Sequence, residues 1–105
     1  MAVRKIEEGE ETRWDYRTLV TVFKALSDET RQRVLVALSQ SGEMKVTDLV
    51  RMFGVAQPTM SHHLGVLKNA GLVNDRREGQ FIFYSVNRGW LVGCCGGFLA
   101  QFETG

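Results

Sequence analysis

Residues 55–73, VAQPTMSHHLGVLKNAGLV, decide the fold of this chain. Pro58 fits the first turn of a helix, where its missing N–H removes no intrahelical hydrogen bond, and Gly71 supplies the positive φ that commonly ends one. Apolar residues recur between them at the spacing of one helical face, at Met60, Leu64 and Leu67. The opposite face carries small and hydrogen-bonding side chains and one cation: Gln57, Ser61, His62, Gly65 and Lys68. The stretch therefore predicts a helix from Gln57 to Ala70 whose polar face can approach a polyanion closely.

The segments on either side of this helix predict a helix-turn-helix and a wing. A short amphipathic segment from Thr47 to Phe53 precedes it, with Thr47 as the expected N-cap, and Gly54 allows a tight turn between the two helices. After the second helix the apolar period changes from 3.6 to 2, over Leu72 to Arg77 and again over Phe81 to Val86. We expect a β-hairpin with a basic tip, a wing that lies along phosphates or in the adjoining minor groove beside the helix that enters the major groove.

Helices are also expected at both ends of the chain. The first begins near Thr12, the second is capped by Asp28, and the last runs from Arg88 to Phe102 with almost no charge and four glycines. Such a helix needs a close apolar partner, and the first helix with its copy in a second subunit is the expected one. The expected dimer interface consists of Trp14, Leu19, Trp90, Leu91, Cys94, Phe98 and Phe102.

The predicted fold is mostly α with a β-hairpin wing (α+β), a winged helix-turn-helix of about five helices and two antiparallel strands. Residues 1–11, rich in glutamate, are expected to form a flexible arm, and residues 12–105 a single DNA-binding and dimerisation domain. The chain carries a net charge of +1, but residues 44–90 hold six Lys and Arg against three Asp and Glu, whereas residues 1–43 hold seven against eight. The basic excess therefore coincides with the predicted DNA-binding unit.

Three segments, FKALSDETRQRVLVAL, AQPTMSHHLGVLKNAGLV and RREGQFIFYSV, together resemble the ArsR/SmtB family of winged-helix transcriptional repressors. The resemblance covers roughly Phe23 to Val86. It implies a homodimer built from the first and last helices, bound to an imperfect inverted repeat in duplex DNA and often released by a metal or another inducer. Taken with the polar face and the hairpin, it predicts DNA contacts from Thr47, Gln57, Thr59, Ser61, His62, Lys68, Arg76, Arg77 and Gln80.

Two metal sites known in that family have no counterpart in this sequence. The segment GEMKVTDLV lacks the Cys-x-Cys-x-x-Cys of arsenic-type members, and residues 88–101 lack the Asp and His pairs of zinc-type members. The adjacent Cys94 and Cys95 leave two alternatives open. They could bind As(III) or another soft metal or undergo redox modification, or they could pack as small hydrophobic residues, and no cofactor is assigned with certainty.

Other functions are less consistent with the sequence. It shows no nucleophile-base pairing and no glycine-rich phosphate loop, so we do not expect an enzyme. A repressor controlled without any ligand, and a winged helix used only for protein interaction, are the remaining alternatives. No secretory signal and no apolar run of membrane-spanning length is present, so we expect a cytoplasmic protein with reduced thiols.

Overall fold

In a computed structural model, which describes residues 15–103, the chain forms five helices and one three-stranded antiparallel sheet. The elements follow in this order: α1 (Tyr16–Ala25), α2 (Glu29–Ser41), β1 (Met44–Lys45), α3 (Val46–Phe53), α4 (Gln57–Asn69), β2 (Val73–Glu78), β3 (Phe81–Val86) and α5 (Arg88–Ala100). The mostly α architecture with a hairpin wing is therefore confirmed. The predicted arm over residues 1–11 and the predicted interface residue Trp14 lie outside the described residues.

The sheet has one strand more than the sequence predicted. Strand β1 pairs antiparallel with β3, with Met44 opposite Tyr84 and Lys45 opposite Phe83, which gives the strand order β1-β3-β2. A strand of two residues is too short to show an alternating pattern, so only its pairing reveals it. The added strand joins the start of α3 to the hairpin.

Several predicted boundaries are corrected by the hydrogen bonds at the ends of the elements. Helix α1 begins at Tyr16 and not near Thr12, because the carboxylate of Asp15 accepts from the backbone N–H of Thr18 at 2.8 Å. Helix α3 begins at Val46, so Thr47 is its second residue and cannot cap it. Strand β2 extends through Glu78, α4 ends one residue before the predicted limit, and α5 ends two residues before it.

The other predicted ends are confirmed. The side chain of Asp28 accepts from the backbone N–H of Arg31 at 3.0 Å and caps α2. The turn that follows α4 contains the predicted Gly71, which has a φ of 80°, and the N–H of Leu72 returns to the carbonyl of Leu67 at 2.9 Å. This return hydrogen bond satisfies a carbonyl that has no partner within the helix and turns the chain directly into β2.

One hydrophobic core joins all five helices to the sheet. The predicted stripe of α4, which consists of Met60, Leu64 and Leu67, is 0% exposed, as are Leu38 and Leu49 from the two preceding helices. The core therefore fixes which face of α4 remains outside. Within the described part of the chain, none of the helices combines the length and the apolar character that a membrane crossing requires.

Two of the predicted interface residues belong to this core. Leu19 is 2% exposed and Cys94 is 0% exposed, so their side chains are already covered within the single chain. Trp90, Leu91 and Phe98 pack partly against the core. The exposed apolar side chains of α1 and α5 and of the residues just after α5 are instead Tyr16, Val20, Phe23, Val92, Leu99 and Phe102.

Candidate nucleic-acid interface

The first two turns of α4 present polar side chains to solvent. Gln57, Thr59, Ser61 and His62 are all exposed. Among residues 15–103, no side-chain hydrogen bond joins Gln57, Thr59 or Ser61 to another residue. Because the apolar stripe on the other side of α4 is fully buried, these donors and acceptors project away from the protein and are available to a ligand.

The start of α4 also lacks a capping side chain. Ala56 is the N-cap residue and makes no side-chain hydrogen bond to the helix, and Pro58 occupies the first turn. The first N–H groups of a helix have no intrahelical acceptor, and the helix dipole favours an anion there. This end of α4 can therefore accept a phosphate oxygen.

A cleft of about 140 Å³ separates the start of α4 from the sheet. Four of the predicted DNA-binding residues line it, namely Thr47, Gln57, Ser61 and Gln80. Lys45 lines it too, with its Nζ 4.7 Å from the centre of the Phe81 ring. The sequence analysis did not single out Lys45, because the pairing of β1 with β3 is what brings this lysine to the same cleft as Gln57 and Ser61.

The two arginines of the wing have different surroundings. Arg76 donates from Nε and Nη2 to the carboxylate of Glu43 at 2.9 and 3.0 Å, and its guanidinium lies 4.4 Å from the centre of the Phe83 ring. Arg77 lies opposite Ile82, and alternation along β2 turns it to the other face of the sheet. It is exposed and forms no ion pair with any residue in the range 15–103. Arg77 is therefore the more available of the two for a phosphate.

The ion pair between Arg76 and Glu43 changes the pKa of both groups. The hydrogen bond from Arg76 lowers the pKa of the Glu43 carboxyl, and the same bond raises the pKa of Arg76. The Arg76 side chain is 50% exposed and that of Glu43 is 36% exposed, so solvent partly screens the pair, which links the hairpin to the segment before β1.

Lys68 is also engaged within the chain. It lies in the last turn of α4, and its Nζ donates to the Asp75 carboxylate on β2 at 2.8 Å. This bond raises the pKa of Lys68. Lys68 therefore joins the far end of α4 to the wing, away from the turns that carry the exposed polar groups.

The adjacent histidines of α4 point in different directions. His62 is exposed, whereas the side chain of His63 is 13% exposed and its Nδ1 lies 3.2 Å from Nη1 of Arg31. Arg31 also donates from Nε to the Ala25 carbonyl at 2.7 Å. His63 is therefore a hydrogen-bonded residue packed against α2, whereas His62 faces solvent.

The two cysteines lie inside α5 and are at least partly buried. Cys94 is fully buried and Cys95 is partly buried, and both are free thiols. Burial raises the pKa of both thiols, and the neighbouring Cys95 raises that of Cys94 further. Thiolate is the form that binds soft metals and reacts with oxidants, so this environment disfavours both reactions. In the range 15–103, no three His, Cys, Asp or Glu side chains are grouped as ligands for a metal ion.

A short helix followed by a polar-faced helix and a basic hairpin defines a winged helix-turn-helix DNA-binding regulator. The model of the arsR family of bacterial regulatory proteins matches residues 28–75. The chain belongs to this family of transcriptional repressors, as its resemblance predicted.

Known relatives agree with this assignment. The transcriptional repressor SdpR of Bacillus subtilis (strain 168) is 47% identical over 66 residues, which cover 63% of this chain and 72% of that protein. The arsenical resistance operon repressor of Escherichia coli (strain K12) is 38% identical over 68 residues, 65% of this chain and 58% of that protein. A homodimeric winged helix-turn-helix DNA-binding domain from Mycobacterium bovis has a TM-score of 0.68 and 30% identity, and the match covers 83% of this chain and 81% of that domain.

Proposed function

We propose that two copies of this chain bind an inverted-repeat operator, each inserting the first turns of α4 into the major groove. The observation that carries the proposal is the group of exposed polar side chains at the start of α4, of which Gln57, Thr59 and Ser61 make no side-chain hydrogen bond within the described residues. Amide and hydroxyl groups match the donor and acceptor patterns of base edges in that groove. Gln57 and Ser61 would face bases, with Thr59 and His62 beside them.

The surroundings of α4 supply the contacts to the DNA backbone. The uncapped start of α4 would bind one DNA phosphate. The adjacent phosphates would be bound by the residues around the adjoining cleft, Lys45, Thr47 and Gln80. Arg77 on the hairpin would contact the phosphates next to these along the DNA backbone. Arg76 and Lys68, which were also expected to bind DNA, have carboxylate partners within the chain, so we propose that they hold the wing in place.

A homodimer is supported by the apolar surface that α1 and α5 leave exposed. Val92, Leu99 and Phe102 are each more than 60% exposed, and the homodimeric neighbour from Mycobacterium bovis has the same fold. Burying apolar side chains of this size against a second copy is favourable. Two-fold symmetry would then hold two reading helices about 34 Å apart, one turn of DNA.

The test is selection of duplexes from a random library, followed by titration at several salt concentrations. We expect enrichment of an inverted repeat, two protomers per duplex, and an affinity that falls steeply between about 50 and 200 mM salt because several phosphate contacts release counterions. Undetectable or salt-independent binding would instead identify a protein-interaction module.

We infer that Cys94 and Cys95 pack as small apolar residues within α5 and do not bind an inducer that releases the protein from its operator. The relative from Escherichia coli is named for arsenical resistance, which makes arsenite the natural probe. The alternative, an As(III), soft-metal or redox site at these two cysteines, is disfavoured by the complete burial of Cys94. Release by arsenite or peroxide should be the same in the wild type and in a Cys94→Ala/Cys95→Ala variant. Loss of release in the variant alone would establish the cysteines as the sensor.

Binding an operator requires no catalysis, and the protein must be in the same compartment as the chromosome to do it. We therefore propose a cytoplasmic, non-enzymatic regulator, consistent with relatives that are named as regulators of transcription and of resistance operons. Control without any ligand remains the alternative mode of regulation, and the arsenite and peroxide titrations of the wild type distinguish it from control by those agents.

A further inference from the structure

The end of α4 and the start of α5 are joined by the side chain of Trp90. Its indole Nε1–H donates to the carbonyl of Ala70 at 2.8 Å. Ala70 is the C-cap residue of α4 and is 5% exposed, so water has little access to this carbonyl. A buried carbonyl without a partner is costly, and the indole provides that partner.

Gly71 allows the indole to approach this closely. A Cβ atom at Gly71 would lie 2.6 Å from Nε1 and 2.8 Å from Cδ1 of Trp90, closer than nonbonded atoms come. The same glycine has a φ of 80°, which the turn after α4 requires. Gly71 therefore serves both the end of α4 and the contact with α5.

A second attachment lies next to the first and does not depend on the indole. The backbone N–H of Asn87 donates to the carbonyl of Leu72 at 2.9 Å, and the Asn87 side chain accepts from the backbone N–H of Trp90 at 3.3 Å. These bonds hold the start of α5 near the turn, but they attach to residues beyond α4. The indole, by contrast, reaches the carbonyl of Ala70, the C-cap residue of α4.

We propose that Trp90 is a positioning residue for DNA reading: its indole N–H fixes the direction of α4 relative to α5. The inference rests on the proposed insertion of α4 into the major groove. Helix α4 has 13 residues and is about 20 Å long, so a tilt of about 5° at its C-terminal end moves the start of the helix by about 1.7 Å. Hydrogen bonds to bases tolerate only a fraction of that displacement, whereas contacts between flexible cations and phosphates tolerate more.

The test compares specific and nonspecific binding in Trp90→Phe, which keeps an aromatic ring and removes the N–H donor. The probes are the duplex that the wild type selects, the same duplex with scrambled half-sites, and one with an extra base pair between the half-sites. We expect about 5- to 30-fold weaker binding to the selected duplex and less than about 2-fold change for the scrambled one, with unchanged dimerisation. We also expect weaker discrimination against the altered spacing.

Two further variants separate positioning from packing. Val66→Ala removes apolar volume from α4 and leaves the indole bond, so it should lower the thermal midpoint without changing the ratio of specific to nonspecific affinity. Should Trp90→Phe fail to fold, benzothienylalanine at position 90 keeps the shape of tryptophan and lacks only the N–H. Because this analogue replaces every tryptophan when it is incorporated, it is placed in a Trp14→Phe background and compared with Trp14→Phe protein that keeps tryptophan at position 90. An unchanged ratio of specific to nonspecific affinity in Trp90→Phe relative to the wild type, or in the analogue relative to Trp14→Phe, would overturn the proposal. A wild type that does not discriminate between the duplexes would instead overturn the proposed function.

Discussion

Arg31 on α2 and His63 on α4 share a hydrogen bond of 3.2 Å between Nη1 and Nδ1. A guanidinium can only donate, so Nδ1 of His63 is the acceptor in this hydrogen bond. Arg31 also donates to the Ala25 and Lys24 carbonyls at the end of α1, at 2.7 and 3.3 Å. One side chain therefore joins α1, α2 and α4, although α4 is far from the other two in sequence.

This relationship predicts opposite behaviour for two adjacent histidines. His63→Ala leaves a donor of Arg31 without its acceptor, and we expect it to lower the free energy of unfolding by about 1–2 kcal/mol in urea titrations. His62→Ala should change that free energy by less than about 0.5 kcal/mol and weaken operator binding. Equal effects of the two substitutions on stability would contradict the different burial of the two side chains.

Gln57 is expected to read sequence. Replacing it by alanine should weaken binding to the selected operator by about 1–3 kcal/mol and relax the preference at one base pair of each half-site. Competition between the selected duplex and single-substitution duplexes measures both effects. If Gln57→Ala lowered the affinity for every duplex equally, the residue would be a backbone contact and not a reader.

Arg77 and Arg76 are adjacent on β2, so substitutions at the two positions can be compared directly. Arg77→Ala should weaken binding to all duplexes alike and reduce the slope of log affinity against log salt by about 1. Arg76→Ala should change that slope less, because its charge is already paired with Glu43. If the slope of log affinity against log salt fell more in Arg76→Ala than in Arg77→Ala, Arg76 would leave Glu43 and contact a phosphate when DNA is bound.

Leu99 is expected to contribute to the dimer interface. It is 62% exposed on α5, and Leu99→Glu should convert the dimer to a folded monomer in sedimentation experiments and lower operator affinity. Val36→Glu is the control, since Val36 is similarly exposed at 55% but lies on α2, beside Met52 and Phe53. This control should remain dimeric, and a dimeric Leu99→Glu protein would exclude that face of α5 from the interface.

The pairing of Glu43 with Arg76 predicts part of the acid sensitivity of the fold. The pKa of Glu43 is lower in the folded chain than its ordinary value of 4.5, so its stabilising contribution is present above that value and is lost as the pH falls through the folded pKa. The thermal midpoint of Glu43→Gln should therefore fall less than that of the wild type between about pH 5 and pH 3. The thermal midpoint of Arg76→Ala should likewise fall less than that of the wild type over this pH range, whereas that of Arg77→Ala should fall as much as that of the wild type.

Local patterns in the sequence were sufficient to predict most of the architecture. The stripe of Met60, Leu64 and Leu67 determined which face of α4 is buried, because helical geometry alone aligns residues at this spacing. The caps Asp28 and Asn87 and the turn at Gly71 act through neighbours in sequence, so local residue types are enough to assign their roles. The exposed positions of Gln57 and Ser61 follow from the same periodicity.

Contacts between distant segments could be decided only by the tertiary structure. The pairing of Met44 with Tyr84, the partner of Arg76 and the burial of Cys94 each depend on residues that are far away in sequence. The same is true of the attachment of Trp90 to Ala70, 20 positions earlier in the chain. A pattern of residue types specifies faces and ends of elements, whereas the partners of charged and aromatic side chains depend on how those elements pack. The sequence by itself thus determined a winged helix with a polar reading face, and the packing decided which of its polar residues are available to DNA.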